Sequence, residues 1–254
     1  MALPSAGTRV AAFFDIDGTL LAGASLERGF FTRLRRCGGI PARNYFLWLR
    51  QAMQLAPRGI ETIVHANKMY LRGVRINRSP ESANSGVTFF PEAISQAAWH
   101  ASLGHAIVLV SGTLAPLAHR VAIALTLRLA ARGVSVQVGV CATRLEETDG
   151  RLTGEIVGEA IFGAAKARAI RRIAVEEGFD LPRCYAYGNG GSDRWMLAAV
   201  GRPAAVNPEP ELESVARLHD WPVLRWPVLR WKGGARNDGA LKSTSVTAET
   251  EIRG

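Results

Sequence analysis

The sequence predicts an α/β protein: a Rossmann-like three-layer sandwich with a mostly parallel sheet, into which an α-helical cap domain is inserted. Three observations support this fold class. A short apolar run at residues 10–14 stops at an aspartate, as a buried parallel strand does. Residues 23–88 then carry apolar side chains at helical intervals. From residue 89 onward, strand-like and helix-like patterns alternate, which is typical of a parallel sheet with helices on both faces.

The inserted segment begins with two predicted helices. The sequence Gly-Gly-Ile-Pro at residues 38–41 separates them, and the polar stretch 79–86 closes the segment as a linker. The aromatic residues here stand at helical spacing, so we expect them to pack rather than to bind nucleic acid. They are Phe30, Phe31, Phe46 and Trp48.

The elements after the insertion can be assigned in order. The patterns predict helices at 91–103, 114–131 and 164–177, strands at 106–110, 134–140, 184–187 and 204–206, and a hairpin at 143–157. The hairpin turns at Asp149-Gly150, a strong short-range turn signal. The predicted domains are therefore a core of 1–22 and 89–231, a helical cap of 23–88, and a disordered tail of 232–254. Before the tail, Trp-Pro-Val-Leu-Arg occurs twice in succession, which indicates a local duplication.

Composition indicates a globular protein. Of 254 residues, 48% are hydrophobic and 21% charged, and no run approaches the roughly 18 apolar residues of a membrane span. The start of the chain lacks the basic and apolar pattern of a signal peptide. The three cysteines are far apart, which argues against a disulfide framework or a zinc site. We expect a reduced, cytoplasmic setting.

The formal net charge of +9 is unevenly distributed. Residues 23–88 contain ten arginines and one lysine against three glutamates, a net charge of +8. Such a segment attracts an anionic partner, which would be a phosphorylated substrate, nucleic acid or a membrane surface. It is equally compatible with solvated helix faces that have no partner.

Two aspartates follow the first strand directly. Asp15 and Asp17 stand at its carboxyl end, where parallel sheets form their ligand crevice, and Gly18-Thr19 turns the chain away. A carboxylate can attack phosphorus, and a second one two residues on can protonate the departing oxygen and then activate water. Mg²⁺ would compensate the negative charge of both carboxylates and the ester. The alternative is a purely structural role, in which this segment is a turn whose aspartates cap a helix.

Three other stretches supply what such a site needs. Ser111 and Gly112 offer a hydroxyl and backbone N–H groups to a phosphate, although Ser-Gly-Thr is also an ordinary helix cap. Lys166 opens a helix and could neutralise phosphate and Asp15 together, or be a solvated surface residue. Asn189 and Asp193, in a glycine-rich loop, could bind the metal or stabilise a turn.

Taken together, these stretches resemble the haloacid dehalogenase-like hydrolases, in the branch related to phosphoserine phosphatase. The likeness covers residues 8–231, including Asp149-Gly-Arg-Leu-Thr-Gly and Ala205-Val-Asn-Pro. It implies an α-helical cap after the first strand and a Mg²⁺-dependent phosphatase. It also implies roles for single residues. Asp15 would be the nucleophile and a metal ligand, Asp17 the general acid/base and a metal ligand, Ser111 and Lys166 phosphate-binding residues, and Asn189 and Asp193 metal ligands.

The chain departs from the family pattern at two positions. Asn189 stands where the family usually has aspartate, which removes one negative charge and predicts weaker Mg²⁺ binding. Ala24 stands nine residues after Asp15, where phosphoserine phosphatases have the glutamate that binds the substrate's amino group. Glu27 is close by and could take the place of this glutamate, but it stands in a different helical phase. Phosphoserine is therefore not the expected substrate.

The leading hypothesis is a phosphomonoesterase for a small phosphorylated metabolite or lipid, with the basic cap favouring anions. The cap arginines in question are Arg28, Arg33, Arg35, Arg36 and Arg43. Two alternatives remain: a phosphotransferase, in which an alcohol replaces water, and a phosphate-binding protein weakened in catalysis by Asn189. Nucleic-acid binding by the cap is a third and less favoured hypothesis.

Overall fold

A computed structural model of the chain describes residues 8–75 and 87–227, and the structural statements below refer to these ranges. Its centre is a six-stranded parallel sheet in the order β3-β2-β1-β6-β7-β8. The strands are β1 Ala11–Phe14, β2 Ala106–Leu114, β3 Val138–Thr143, β6 Tyr185–Gly188, β7 Arg202–Val206 and β8 Val223–Leu224. A separate antiparallel hairpin consists of β4 Leu145–Thr148 and β5 Arg151–Ile156.

The described residues also form eight helices. They are α1 Leu26–Arg36, α2 Ala42–Leu55, α3 Ile60–Ala66, α4 Pro91–Ser102, α5 Ala115–Ala130, α6 Ala164–Glu177, α7 Arg194–Leu197 and α8 Pro210–Leu218. Single 3-10 turns occupy Ala56–Arg58, Met69–Leu71, Leu181–Arg183 and Gly191–Asp193.

The sheet is covered on both faces, which explains why β1 is apolar throughout. Side chains of a strand alternate between faces. Ala12 and Phe14 accordingly pack in one core with α4 and α5, whereas Ala11 and Phe13 pack in the other with α6, α7 and α8. All four residues are fully buried. The predicted three-layer α/β sandwich is confirmed.

The helices α1, α2 and α3 lie between β1 and α4 in the chain, as the predicted insertion does. A third hydrophobic cluster joins α1 and the turn at Met69–Leu71 to the hairpin and to α5; its buried members are Ile40, Tyr70, Leu71, Val74, Leu114, Leu117 and Leu152. Two backbone hydrogen bonds reinforce this junction, from Gly73 to Leu152 at 2.7 Å and from Leu152 to Val74 at 2.9 Å. The hairpin therefore packs with the inserted segment, and its strands do not pair with those of the main sheet.

Several predicted elements match the structure closely. The helix at 164–177 is α6, and the hairpin turns at Asp149-Gly150, where both φ angles are positive (52° and 70°). The Gly-Gly-Ile-Pro stretch separates α1 from α2 as predicted. The predicted linker at 79–86 and tail at 232–254 lie outside the described residues, as does most of the second Trp-Pro-Val-Leu-Arg copy.

Other predicted boundaries were wrong. The strand predicted to end at residue 110 continues to Leu114, because pairing with β3 carries on past a bulge between Ser111 and Leu114. The next strand begins only at Val138, where its pairing with Ile107 begins. The short elements α7, α8 and β8 were not among the predicted helices and strands.

The packing expectation for the cap aromatics holds only in part. Phe30 and Phe31 pack against the third cluster. Phe46, in contrast, is 69% exposed and Trp48 is 37% exposed, so the expectation that these aromatics pack was wrong for Phe46. The reason is that α2 buries a single face, represented by Asn44 and Ala52, and helical spacing places Phe46 on another. None of the helices in the described ranges has the length and apolarity needed to cross a bilayer.

Candidate active site

A cavity of about 370 Å³ opens at the carboxyl ends of β1, β2 and β6. The structure brings all the predicted site residues together in its wall: Asp15, Asp17, Ser111, Gly112, Lys166, Asn189 and Asp193. They come from four separate stretches of chain. Parallel strands direct their carboxyl ends to one edge of the sheet, which is why the strand-end residues meet there.

Asp15 is held at this edge by the sheet itself. Its backbone N–H donates to the carbonyl of Tyr187 on β6 at 2.9 Å, and its carboxylate is almost fully buried. The following turn needs glycine at residue 18, where φ is +79°. A Cβ there would lie 2.2 Å from Nδ2 of Asn189, so Gly18 also lets the Asn189 side chain approach the turn.

Lys166 joins the two buried carboxylates. Its Nζ lies 2.6 Å from Oδ1 of Asp15 and 2.6 Å from Oδ1 of Asp193, and all three residues are less than 9% exposed. Burial opposes the charged form of the lysine, but the two aspartates outweigh it and raise the pKa of Lys166. Burial raises the pKa of Asp15, and Lys166 counteracts that shift. Lys166 is therefore a buried cation, and the alternative that it is a solvated surface residue is wrong.

Asp193 fixes the loop that follows β6. Its Oδ2 accepts the backbone N–H groups of Asn189 and Gly190, each at 3.0 Å. The loop passes so close that a Cβ on Gly188 would lie 2.5 Å from the Cβ of Asp193. These contacts hold Asn189 and Asp193 at the cavity, and they make the glycines of this loop a packing requirement.

Asp17 connects the cavity wall to the inserted helices. Its Oδ1 accepts the backbone N–H of Leu26, the first residue of α1, at 3.0 Å. Burial raises the pKa of the Asp17 carboxyl, and the hydrogen bonds from Leu26 and Ser25 lower it to a smaller extent. A raised pKa favours the protonated form that a general acid needs.

The stretch around Ser111 is an extension of β2 and not a helix start. Ser111 is 3% exposed, and its Oγ accepts the backbone N–H of Thr113 at 3.3 Å. Thr143, which the sequence analysis did not select, donates its hydroxyl to the Gly112 carbonyl at 2.9 Å and accepts the N–H of Ile161 at 3.1 Å. This buried threonine ties the Ser111 stretch to the loop that leads into α6.

The cavity is acidic. Its wall, among the described residues, contains one lysine and seven acidic residues: Asp15, Asp17, Glu27, Glu61, Asp193, Glu209 and Glu211. Glu209 and Glu211 were not among the predicted site residues. Both follow the carboxyl end of β7, so the principle that ligands bind at the carboxyl ends of parallel strands would have included them. Lys68 pairs with Glu27, and Arg194 with Glu211. None of the five cap arginines named in the sequence analysis lies in this wall, so their expected preference for anions does not act through contacts inside the cavity.

His65 of α3 forms part of the cavity wall and was also missed. Its ring stacks on Phe162 with centroids 3.7 Å apart. Burial, with the charges of Lys68 and Lys166, lowers its pKa to about 4, so the ring is neutral at pH 7. No sequence signal separates this histidine from an ordinary helical one.

Glu27 reaches the cavity, whereas Ala24 lines a different hollow with Phe30 and Arg33. Glu27 and residue 24 therefore differ in helical phase, as expected, and it is Glu27 that reaches the site. Its Oε1 accepts hydrogen bonds from Lys68 at 2.5 Å and from the Tyr70 hydroxyl at 2.6 Å. Glu27 is thus already paired inside the protein.

The chemistry of the wall fits a hard divalent cation. Carboxylate, amide and backbone oxygens are available from Asp15, Asp17, Asn189 and Asp193. In the described ranges no three His, Cys, Asp or Glu side chains gather as a metal cluster, so the amide of Asn189 and backbone oxygens would be needed. The excess of negative charge also means that a phosphate ester requires a cation besides Lys166.

Comparisons with known proteins show which family and which solved structures this chain is similar to. The family model described as haloacid dehalogenase-like hydrolase matches residues 12–198. Phosphoserine phosphatase SerB1 of Mycobacterium tuberculosis is 32% identical over 238 residues, covering 87% of this chain and 72% of that protein. A solved protein of unknown function from Bordetella pertussis has a TM-score of 0.66 at 25% identity, covering 85% of this chain and 98% of that one. A substrate-bound phosphoserine phosphatase shares the fold, with a TM-score of 0.56, 20% identity, and coverage of 85% and 93%.

Proposed function

The chain belongs to the haloacid dehalogenase-like hydrolases, and from this premise we propose that it hydrolyses a small phosphomonoester through a phospho-aspartate at Asp15. The observation that carries the proposal is the buried Asp15–Lys166–Asp193 bridge at the end of the central strands, with 2.6 Å contacts on both sides of the ammonium. A relative named as a phosphatase supports it.

In the proposed reaction, an Asp15 oxygen attacks phosphorus and the bond from phosphorus to the ester oxygen breaks. Asp17 gives its proton to the departing alkoxide, so that an alcohol leaves. Water then attacks the acyl phosphate, Asp17 takes a proton from it, and inorganic phosphate leaves with Asp15 restored. The raised pKa of Asp17 suits the first of its two roles.

The remaining residues bind charge. Ser111, Gly112 and Lys166 would hold the transferring phosphoryl group, with Lys166 compensating its negative charge. Asp15, Asp17, Asn189 and Asp193 would hold Mg²⁺, which when bound supplies a Lewis acid to the phosphoryl oxygens. The helices α1–α3 would form the cap, within the proposed division into a core of 1–22 and 89–231 and a cap of 23–88.

The decisive experiment compares Asp15→Asn with the unaltered protein on p-nitrophenyl phosphate in the presence of Mg²⁺. The variant should lose turnover by about 10³-fold or more, because the amide is a poor nucleophile, while circular dichroism stays unchanged. Asp149→Asn in the exposed hairpin turn is the matched control and should keep full activity.

Full activity of Asp15→Asn would refute the mechanism. If the unaltered protein hydrolyses no phosphate ester but binds phosphate measurably, it is a binding protein and the proposed function is wrong. Product analysis with added alcohols distinguishes hydrolysis from phosphotransfer, since an acceptor alcohol would appear as a new phosphate ester.

A further inference from the structure

A second hollow, of about 400 Å³, adjoins the catalytic cavity and shares Ser25, Glu27 and His65 with it. We call it the cap chamber. Its wall is otherwise largely apolar or aromatic, from α1, α2, α3 and the turn after them: Phe31, Tyr45, Trp48, Val64 and Tyr70. A leaving group that extends from the phosphoryl position toward the cap would enter this chamber.

The charges in the chamber wall are largely compensated. Glu27 accepts hydrogen bonds from Lys68 and Tyr70 on the same oxygen, and Lys68 is only 2% exposed. The glutamate charge is therefore balanced by a buried ammonium and does not attract an amino group of a substrate. The other charged residue of the described wall, Arg28, is exposed.

We propose that the cap chamber binds the leaving group of the substrate, and that this group is an uncharged apolar chain or ring. The inference rests on the proposed function and adds its substrate class: alkyl or aryl phosphate monoesters in place of amino-acid phosphates. Burial of apolar surface against the aromatic wall supplies the binding free energy.

A homologous series of alkyl phosphates from ethyl to octyl tests this inference. These esters have leaving groups of similar basicity, so their relative kcat/KM reports binding in the chamber and not chemical reactivity. We expect kcat/KM to rise with chain length, by up to about fourfold per buried methylene, until the chamber is filled. Phosphoserine should be a poorer substrate than butyl phosphate.

The variant Trp48→Ala should flatten the dependence of kcat/KM on chain length, because it removes apolar surface from the chamber wall. Trp99→Ala is the matched control, because Trp99 is similarly exposed (44% against 37%) but lies on α4, outside the chamber. The control should retain the slope of the unaltered protein.

The outcomes separate the two proposals. Hydrolysis of ethyl phosphate without any gain from longer chains, or a preference for phosphoserine, would overturn the inference and leave the proposed function intact. A Trp48→Ala slope equal to that of the unaltered protein would also overturn it. If no ester is hydrolysed, the proposed function itself fails.

A different observation, on the outer surface of α2 and α3, carries a second inference. Four large apolar side chains there are 52–78% exposed: Phe46, Leu49, Met53 and Ile60. Phe46, Leu49 and Met53 recur at intervals of three and four residues, so they form one stripe on α2. Isolated exposed apolar residues are common, but a contiguous stripe indicates an interaction surface.

Positive charge borders this stripe. Arg43 and Arg50 lie next to Phe46 on the helical circumference, and Arg58 lies between α2 and α3; all three are exposed. The described part of the inserted segment, residues 23–75, contains nine arginines and one lysine against two glutamates. Since no arginine lines the catalytic cavity among the described residues, this charge serves a partner other than the reacting phosphate.

We infer that this face of α2 and α3 binds the surface of an anionic phospholipid bilayer. Apolar side chains flanked by arginine are the pattern of a helix that lies in a membrane interface, where the apolar face enters the acyl boundary and the cations meet the headgroups. The charge complementarity selects this occupant over a neutral apolar partner.

Co-sedimentation with vesicles tests the inference. The protein should bind vesicles of phosphatidylglycerol and phosphatidylcholine, and bind phosphatidylcholine alone much more weakly, with binding that falls as salt rises. Leu49→Ser should weaken binding about tenfold. Leu127→Ser on α5 is the matched control, equally exposed at 52%, and should bind like the unaltered protein.

Failure to bind anionic vesicles at low salt would overturn this inference, as would equal losses in the two variants. A Leu49-dependent dimer detected by light scattering would also overturn it, because a second copy of the chain would then cover the face. Ethyl phosphate hydrolysis should be unchanged in Leu49→Ser.

Discussion

Oδ1 of Asp17 accepts the backbone N–H of Leu26 at 3.0 Å, so the proposed general acid is also the anchor for the first inserted helix. A carboxylate at a helix N-terminus receives an N–H group that has no partner within the helix, and the helix dipole stabilises its charge. The position of α1 and the position of the proton donor are therefore coupled through one hydrogen bond. The first prediction separates these two roles.

Asp17→Asn should lower kcat for ethyl phosphate by about 10²–10⁴-fold, because the amide supplies no proton to the alkoxide. The loss should be smaller for p-nitrophenyl phosphate, whose leaving group departs without a proton. The thermal midpoint should stay near that of the unaltered protein, since the amide oxygen still accepts the Leu26 N–H. Asp17→Ala, which loses that acceptor, should unfold at a lower temperature. Equal kcat losses on both esters would contradict the proton-donor role.

Lys166→Met should destabilise the protein by about 3 kcal/mol in urea unfolding at pH 7.5 without metal, because Asp15 and Asp193 would remain buried without their cation. Activity should be lost as well. Arg168→Met, two residues along the same helix, removes an exposed pair with Glu159 and should leave the unfolding midpoint unchanged. Similar midpoints for the two variants would show that the buried bridge is not what stabilises this edge of the sheet.

Asn189→Asp should lower the Mg²⁺ concentration that gives half-maximal activity by about tenfold, because it restores a negative ligand charge at the proposed metal site. Titration of activity with Mg²⁺ measures this, and removal of the metal with a chelator should abolish turnover in both proteins. Gln96→Glu is a control that adds the same charge at a site away from the cavity. An unchanged Mg²⁺ requirement in Asn189→Asp would exclude Asn189 as a ligand.

His100 should make the fold sensitive to acid. It is fully buried and hydrogen-bonded to the Tyr187 hydroxyl at 2.9 Å, and burial, with His105, lowers its pKa to about 3. The unfolded chain binds the proton near pH 6.5 and the folded chain does not, so stability falls as the pH drops below 6.5. From pH 7.5 to pH 5.0 this histidine should contribute a loss of about 2 kcal/mol.

His100→Gln keeps a hydrogen-bonding side chain but does not titrate, so the loss between these two pH values should shrink by that amount. Urea unfolding at both pH values measures the difference. His119→Gln, at an exposed position on α5, should leave the pH dependence as it is in the unaltered protein. An identical pH dependence in the His100 variant would refute this assignment.

Much of the fold followed from local patterns in the sequence. The buried strand before Asp15, the helix that carries Lys166 and the turn at Asp149-Gly150 all have periodic or turn signals that lie within a few residues. The candidate site followed from one topological rule, that side chains at the carboxyl ends of parallel strands meet. The same rule applied to β7 would have included Glu209.

Other features could not be predicted, because they depend on which segments pack against each other. The extension of β2 through Ser111 depends on pairing with β3. The placement of His65 in the cavity wall depends on how α3 packs against Phe162. The exposure of Phe46 depends on what covers α2, and helical spacing alone cannot distinguish a covered face from an uncovered one.

Local patterns in the sequence were sufficient to select the candidate site residues: Asp15, Asp17, Lys166 and the Asn189 loop follow element ends that these patterns reveal. The distribution of charge and exposed apolar surface, in contrast, depends on the packing of segments that are distant in the chain. The tertiary structure pairs Glu27 with Lys68 and keeps the cap arginines out of an acidic cavity. The sequence specifies which side chain stands at each position. Burial and charge pairing, however, arise only when segments that are distant in the chain come together and exclude water from one another.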